Sequence, residues 1–528
     1  MNNFLYKAFL SIFMMSAQSL HAQNPQKVTF DYNAPQQTIH SFGASDCWRT
    51  QYIGENWPEQ KRNQIADLLF SSETDEWGNP KGIGLSLWRF NIGSGSHEAG
   101  EQGGVQSEWR RTECFLGKNG DWDWNKQKGQ RWMLQAARDR GVRYVLGFSI
   151  TAPYFMTKNG MARASEKTPY ANLKEDYYDD YALFMAEVAK KLNFDYISPV
   201  NEPQWEWVGS NQEGMQATNE ECSRLIRYLD KALITNKAKA KIVFGEAGDI
   251  RYLYRNSTDK PKRDNQIKEM FSKQGKHSIH GLSTLEPVVS GHSYWSTWPI
   301  DTMITTRKQL HEAIACELPD NYNYWQTEYC PMEKNSDNPN GGSGRDTGMN
   351  TALYIARVIH YDLTVAHATS WQFWTALSEW NYKDGLIFID DGVLSSGARS
   401  GNEKMIESCK LDGEFRTSKT LWALGNYSFF VRPGMVRISQ INNGISQNTA
   451  DLMASAYVDN LTKKVVVVLI NYSDKNKAVD LTVENLPKSF HSRFALYETS
   501  SRSDLQLKGW VGSRFSVPSR SVATLVSM

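Results

Sequence analysis

Two glutamates carry the clearest chemistry in this chain. Glu202 sits in the tripeptide Asn201-Glu202-Pro203 that closes the apolar run Tyr196 to Val200, and Glu328 closes the run Tyr322 to Thr327. Two carboxyl groups offered from strand ends are what glycosidic bond hydrolysis needs: one, protonated, donates to the leaving oxygen, and the other, ionised, attacks the anomeric carbon. A pair about 5 to 5.5 Å apart retains the anomeric configuration, whereas a wider pair admits a water and inverts it, and spacing along the chain leaves that choice open. Asn201 carries an amide that can reach the sugar 2-hydroxyl, a contact that strengthens as the ring flattens toward the oxocarbenium ion. That neighbour makes Glu202 the acid/base and Glu328 the nucleophile. Glu202 must then hold its proton near neutrality, which apolar walls and an ionised Glu328 would encourage. Arg89 and Tyr294, each at the end of an apolar run, are placed to donate to Glu328; the structural alternatives are an ordinary ion pair and a core aromatic. Glu246 also ends a run and Glu206 lies in the loop after Glu202, each expected to be structural or a sugar contact.

The elements that must position these groups read as a barrel. Eight short apolar runs, Ser41 to Asp46, Gly84 to Asn91, Val142 to Ser149, Tyr196 to Asn201, Lys241 to Glu246, Val288 to Tyr294, Asn323 to Glu328 and Ser370 to Trp374, alternate with helical patterns. The clearest helices are Pro58 to Phe70, Lys128 to Arg140, Tyr178 to Lys191, Asn219 to Asn236, Thr302 to Cys316, Met349 to Thr364 and Lys419 to Val431. This predicts an α/β chain with a (β/α)8 TIM barrel over residues 41–431, whose catalytic rim is formed by the carboxyl ends of its strands. Glu202 then ends the fourth strand and Glu328 the seventh. The Gly, Asn, Asp and Ser cluster from Asn335 to Asn350 is a loop that either covers substrate or makes a solvated excursion. From about Met435 the rhythm changes to short β-branched runs without helices, which predicts an appended antiparallel β-sandwich over residues 432–528. Residues 23–40 include Lys27 to Tyr32, a strand-like segment expected to pair with that sandwich.

Composition narrows the partners. Lys and Arg number 59 against 58 for Asp and Glu, a formal charge of +1, so no polyanion and no nucleic acid is expected as a partner. Aromatic residues make up 12% of the chain with 18 tryptophans, enough flat rings both for a core and for covering the C–H faces of sugars; Trp48, Trp205, Trp207, Trp295 and Trp298 are candidate platforms. Residues 1–22 read as a cleavable signal peptide: Lys7 precedes the apolar stretch Ala8 to Met15, and Ala22 precedes Gln23. No cysteine precedes Cys47 to serve as a lipoprotein anchor, and no segment is apolar enough to span a membrane, so a periplasmic or secreted protein is expected, its oligomeric state open with a monomer favoured. The six cysteines form no C-x-x-C pair, and no metal site is expected. Cys47 and Cys330 both follow barrel strands and either meet at the rim or stay isolated thiols. No cofactor is implied, because catalysis by two carboxyl groups needs none.

With these residues in view, the mature chain resembles glycoside hydrolase family 30. The resemblance rests on Phe42-Gly43-Ala44, the segment Arg89 to Gly93, Ser149 to Met156, Asn201-Glu202-Pro203, His292-Ser293-Tyr294, Glu328 and the segment Trp371 to Trp374. It implies a retaining mechanism on a barrel with a β-sandwich built from both chain ends. It also implies that Arg89, Asn201, His292, Tyr294 and Trp374 line the subsite beside the scissile bond, with Trp371, Phe155, Trp48, Asp46 and Trp205 as further substrate contacts. Many relatives place a tryptophan where this chain has Phe155, a smaller stacking surface. The stretches Phe42 to Trp48 and Leu87 to Ile92 look most like the endo-β-1,6-galactanase branch, which implies a polysaccharide or oligosaccharide substrate of the plant (arabino)galactan type. β-1,6-Glucanase, glucosylceramidase-like and xylan-directed relatives share the layout, and a glycan-capture protein without turnover is the alternative from another class.

Overall fold

The computed structural model describes residues 24–392, 407–441, 450–491 and 493–527, so the signal peptide expected over residues 1–22 lies outside the described residues. After strand β1 (Gln26–Thr38) come eight parallel strands: β2 (Ser41–Ser45), β3 (Leu87–Ile92), β4 (Tyr144–Ser149), β5 (Tyr196–Ser198), β6 (Lys241–Ala247), β7 (Leu285–His292), β8 (Asn323–Glu328) and β9 (Ala368–Phe373). They form a closed barrel in chain order, with β9 returning to pair with β2. The strands are buried on both faces, which is why they read as continuous apolar runs rather than alternating ones. On β3, Leu87 joins Leu146, Val243, Val288 and Trp325 in a cluster of its own, while Trp88, Phe90 and Ile92 pack into the large cluster shared with the helices. The two-residue period therefore carries Arg89 on the same side as Leu87, one step of about 7 Å further up the strand toward the rim.

The surrounding helices follow the predicted spacing closely. The helix Tyr178–Lys191 buries Tyr181, Phe184, Met185 and Val188 on one stripe. The helix Asn219–Thr235 opens with a capping box in which Thr218 and Glu221 satisfy each other's backbone N–H, and this pins the far end of the loop that leaves Glu202.

Three strands beyond the barrel, β10 (Leu377–Ser378), β11 (Ile387–Asp390) and β12 (Glu414–Thr417), make a small sheet that the sequence reading did not anticipate. The C-terminal strands β13 (Val436–Gln440), β14 (Leu452–Asp459), β15 (Lys464–Asn471), β16 (Lys477–Glu484), β17 (Phe494–Ser500), β18 (Ser503–Val511), β19 (Arg514–Val517) and β20 (Ser521–Ser527) join β1 in a mostly antiparallel nine-stranded sheet. Its order is β18-β17-β20-β15-β14-β13-β1-β16-β19. One pairing corrects the antiparallel expectation. β1 runs antiparallel to β13 but parallel to β16, with Gln26 opposite Val479 and Asp31 opposite Glu484. No hairpin ties β1 to β16, so nothing forces the reversal that a short connection would impose. Val28, Phe30, Ile438, Val467, Leu481 and Leu525 form the core of this sheet. Among the described residues, no helix is long and apolar enough to cross a membrane.

Candidate active site

Two glutamates of the site, Glu202 and Glu246, emerge from local backbone irregularity at the carboxyl ends of strands. Glu202 follows β5 with φ +47°, and its N–H donates to the carbonyl of Glu246 across 2.9 Å. Glu246 itself has φ +42° and follows Gly245 at φ +125°, at the place where the β6–β7 register shifts between Phe244 and Ala247. A Cβ on Gly245 would stand 2.1 Å from the Ser290 carbonyl oxygen, so only glycine allows the two backbones this close. The irregularity re-aims Glu246 toward the barrel interior, as bulges near active sites do. Left-handed conformation in a non-glycine residue costs on the order of 1 kcal/mol, and finding it at both Glu202 and Glu246 marks a site held by its surroundings.

One hydrogen-bonded cluster joins five strands. The wholly buried Arg89 donates through Nη1 to Oε2 of Glu328 at 2.6 Å, and through Nη2 to Oδ1 of Asn201 at 3.0 Å and Oε2 of Glu246 at 2.8 Å. Its guanidinium lies 3.6 Å over the centre of the Phe148 ring, which fixes the plane of the fork. Tyr294 donates to the other oxygen of Glu328, Oε1, at 3.1 Å. His292 bridges Oε1 of Glu202 through Nδ1 at 2.8 Å and Oε2 of Glu246 through Nε2 at 3.1 Å. Glu202 and Glu328 each bring a carboxylate oxygen, and His292 a ring nitrogen, to within 4.8 Å of one another. Glu202 and Glu328 are 6% and 5% exposed, open enough for a substrate to reach yet desolvated.

Burial raises the Glu202 carboxyl above the ordinary carboxylate range; His292 opposes this and the charge of Glu328 reinforces it. Burial alone would raise Glu246 too, but the charge of Arg89 and the hydrogen bond from His292 outweigh it and hold Glu246 at about 2. For His292, burial pulls downward, and the charge of Glu328 with hydrogen bonds to Glu202 and Glu246 carries it up to about 10. Glu202, His292 and Glu328 are grouped tightly enough to have the dimensions of a metal site. The oxygens that would bind an ion are already engaged: Arg89 and Tyr294 donate to Glu328, and His292 holds Nδ1 against Glu202.

The other residues singled out in the sequence divide into two groups. Asn201 keeps Nδ2 without a hydrogen bond among the described residues while Oδ1 is held by Arg89. Trp374 is partly exposed and meets Trp48 edge-on at 5.3 Å, and both pack with Cys47, Phe148 and Ile150 into one wall. Trp205 lies beside Glu202: a Cβ on Gly248 would come within 2.3 Å of its Nε1 and 2.9 Å of Oε1 of Glu202, so glycine keeps that side of the acid open. Phe155 is half-buried against the main core and Tyr154.

Beside the wholly buried Arg89, three further residues read as sugar contacts are internal. Asp46 is buried, accepts from the Asn91 N–H at 2.8 Å and from Gln130 Nε2 at 3.0 Å, and burial pushes its carboxyl up to about 7. Trp371 is buried outside the barrel wall, donating to Asp362 at 2.8 Å, because its neighbour in the two-residue alternation takes the inward position. His292 is fully buried with both ring nitrogens engaged, so it meets carboxyl groups rather than a ligand. Glu246, left in the sequence as structural or a sugar contact, is likewise buried at the centre of the cluster; the Gly245-Glu246 pair was its available signal. Glu206 faces Lys260 and Arg263 at 3.1 and 2.9 Å and ties down its loop. All six cysteines are free thiols, so Cys47 and Cys330 form no bridge. Trp295 stands 48% exposed one residue after Tyr294, with φ +60° and its N–H donating to the buried Glu333 across 2.5 Å.

A protonated carboxyl and a hydrogen-bonded carboxylate, facing each other in a desolvated cleft, can cleave an acetal by paired proton transfer and nucleophilic attack. A family model described as O-Glycosyl hydrolase family 30 matches residues 25–388. The chain is similar to a conserved exported protein from Bacteroides fragilis, whose crystal structure aligns with a TM-score of 0.87 at 38% identity over 95% of this chain and 100% of that one. It is 21% identical over 408 residues to an endo-beta-1,6-galactanase from Hypocrea rufa, covering 72% of this chain and 73% of the relative. The catalytic domain of xylanase C from Talaromyces cellulolyticus shares the fold with a TM-score of 0.65 at 19% identity, over 95% of this chain and 100% of that one.

Proposed function

The chain belongs to O-glycosyl hydrolase family 30, and from that membership we propose that it is an exported, retaining endo-β-1,6-galactanase acting through Glu328 and Glu202. The observation that supports the mechanism is the approach of a Glu202 carboxyl oxygen and a Glu328 carboxyl oxygen to within 4.8 Å, which fits the close pair of a covalent double displacement better than the separation of roughly 6.5 to 9.5 Å that an inverting pair keeps for a water beside the sugar. In the first step Glu328 attacks the anomeric carbon while the proton on Glu202 passes to the departing glycosidic oxygen. In the second, the ionised Glu202 takes a proton from water as the water displaces Glu328, and the two inversions restore the β configuration. Arg89 and Tyr294 fix the two oxygens of Glu328, and Nδ2 of Asn201 is available to the 2-hydroxyl.

The similarity to the endo-beta-1,6-galactanase supports β-1,6-galactan as substrate, and the partly exposed Trp374 offers a stacking face. Export is supported by the leader-like residues 1–22. The test is incubation with β-1,6-galactan, β-1,6-glucan, glucuronoxylan and aryl β-galactosides, beside Glu202→Gln and Glu328→Gln. Release of β-configured galacto-oligosaccharides, read by proton NMR of the first product, is expected. Cleavage of glucan or xylan alone would overturn the sugar assignment, α-configured first product would overturn retention, and binding without release would leave a glycan-capture protein.

A further inference from the structure

We propose that Glu246 is a positioning residue that keeps His292 doubly protonated, so that His292 locks Oε1 of Glu202 as an acceptor and confines the acidic proton to Oε2. This rests on the proposed role of Glu202 and extends it to a residue that touches no substrate.

The geometry leaves His292 few alternatives. Nε2 lies 3.1 Å from Oε2 of Glu246 and Nδ1 lies 2.8 Å from Oε1 of Glu202, so with both nitrogens protonated each faces an acceptor. Other groups turned toward the ring are Oε1 of Glu328, 3.8 Å from Nδ1, and Tyr294, whose ring stands edge-on at 6.0 Å; Arg89 donates through Nη2 to the same Oε2 of Glu246 that Nε2 meets. Carboxylates thus face the ring from β6 and β8, and the nearest cation is already paired with both of them. The lowered Glu246 and raised His292 described above agree with this arrangement. Once Nδ1–H donates to Oε1 of Glu202, the proton of a neutral Glu202 has only Oε2, which accepts no hydrogen bond among the described residues. Were His292 neutral with Nδ1 as acceptor, that proton would point from Oε1 into the protein and away from the leaving oxygen.

Charge also balances through the reaction. Before attack, Arg89 and His292 carry two positive charges against ionised Glu246 and Glu328, with Glu202 neutral. As the glycosidic bond breaks, the proton leaves Oε2 of Glu202 for the departing oxygen, and Glu328 loses its charge in forming the ester bond to the anomeric carbon. One negative charge has moved from Glu328 to Glu202, past an imidazolium 3.8 Å from the first and 2.8 Å from the second, and the buried cluster stays neutral throughout. Glu246 supplies the fixed anion that makes this counter-ion permanent.

The test compares leaving groups in Glu246→Gln and wild type. Release of a sugar leaving group depends on proton donation, whereas 2,4-dinitrophenolate leaves without it. The ratio of kcat/KM for dinitrophenyl galactoside to that for a galacto-oligosaccharide is expected to rise by about 10²-fold in Glu246→Gln, the scale of lost general-acid catalysis. A ratio within threefold of wild type, with both substrates losing activity equally, would overturn the proposal and leave Glu246 a structural ion-pair partner. Independently of that variant's folding, wild-type protein labelled with 15N-histidine is expected to show two protected ring N–H signals at pH 7 that vanish together in His292→Asn. A single such signal would overturn it too. Failure of wild type to cleave any glycoside would instead sink the functional reading, while the ring N–H measurement would still decide the state of His292.

Discussion

The guanidinium of Arg89 lies 2.6 Å from Oε2 of Glu328 with no exposed surface of its own, and its second nitrogen is shared between Asn201 and Glu246. Replacing it by Gln leaves two carboxylates in the cluster without their main counter-charge. Arg89→Gln is expected to lose about 3 to 5 kcal/mol of stability, read by chemical denaturation at pH 7, together with most activity. Arg89→Lys should recover little of either, since a single ammonium cannot reproduce the planar fork over Phe148; wild-type behaviour of Arg89→Lys would sink this account.

Azide separates the two glutamates. With dinitrophenyl β-galactoside, Glu202→Ala is expected to be accelerated by azide and to yield the β-galactosyl azide, because the intermediate on Glu328 still forms and is then displaced. Glu328→Gly should yield the α-azide through one inversion. Exchanged products would reverse the assigned roles.

Asp46 gives a pH signature. Burial raises its folded-state pKa from 3.8 to about 7, so the native state binds a proton the unfolded state has released, and stability falls as pH rises from about 4 to 7. Asp46→Asn removes this dependence. The stability difference between variant and wild type is expected to move in favour of the variant by up to about 4 kcal/mol over that window, measured by urea denaturation at each pH. A difference flat with pH contradicts a buried, proton-holding Asp46.

Gly248→Ala places a methyl against Oε1 of Glu202 and Nε1 of Trp205. Because the clash falls on the side chains of the site, the expected outcome is a loss of kcat of at least about tenfold with a melting temperature within a few degrees of wild type. Full activity would mean that Trp205 yields and the acid does not move.

Trp295→Ala tests the exposed indole beyond Tyr294. Holding a bulky residue at φ +60° against a buried carboxylate is costly, which points to a use for the exposed ring. Loss of about 1 kcal/mol, roughly fivefold in kcat/KM on polymer, is expected, with dinitrophenyl galactoside little affected. An equal loss on both substrates would show that Trp295 supports the site rather than the sugar chain.

The barrel was legible because strands buried on both faces leave uninterrupted apolar runs, and Glu202 and Glu328 stood out because each ends such a run; the structure brings their carboxyl oxygens within 4.8 Å. What the sequence hid were side-chain directions at the rim. Asp46, Trp371 and His292 sit beside residues that do face the cleft, yet strand alternation and the β6–β7 register shift turn them inward or outward in ways that residue type alone does not reveal. Glu246 was left between a structural role and a sugar contact for the same reason: its direction depends on the irregularity at Gly245. The parallel pairing of β1 with β16 escaped because partners so far apart in the chain leave no local turn to read.

That pairing has a consequence for biosynthesis. Gln26 and Val479, opposite each other in the finished sheet, are 453 positions apart, so at ribosomal rates of about 5 to 20 residues per second the first strand waits on the order of half a minute or more for its neighbour. Throughout that interval the edge that later meets residues 477–484 lacks its sheet neighbour, and an unpaired strand edge is open to recruiting a stranger.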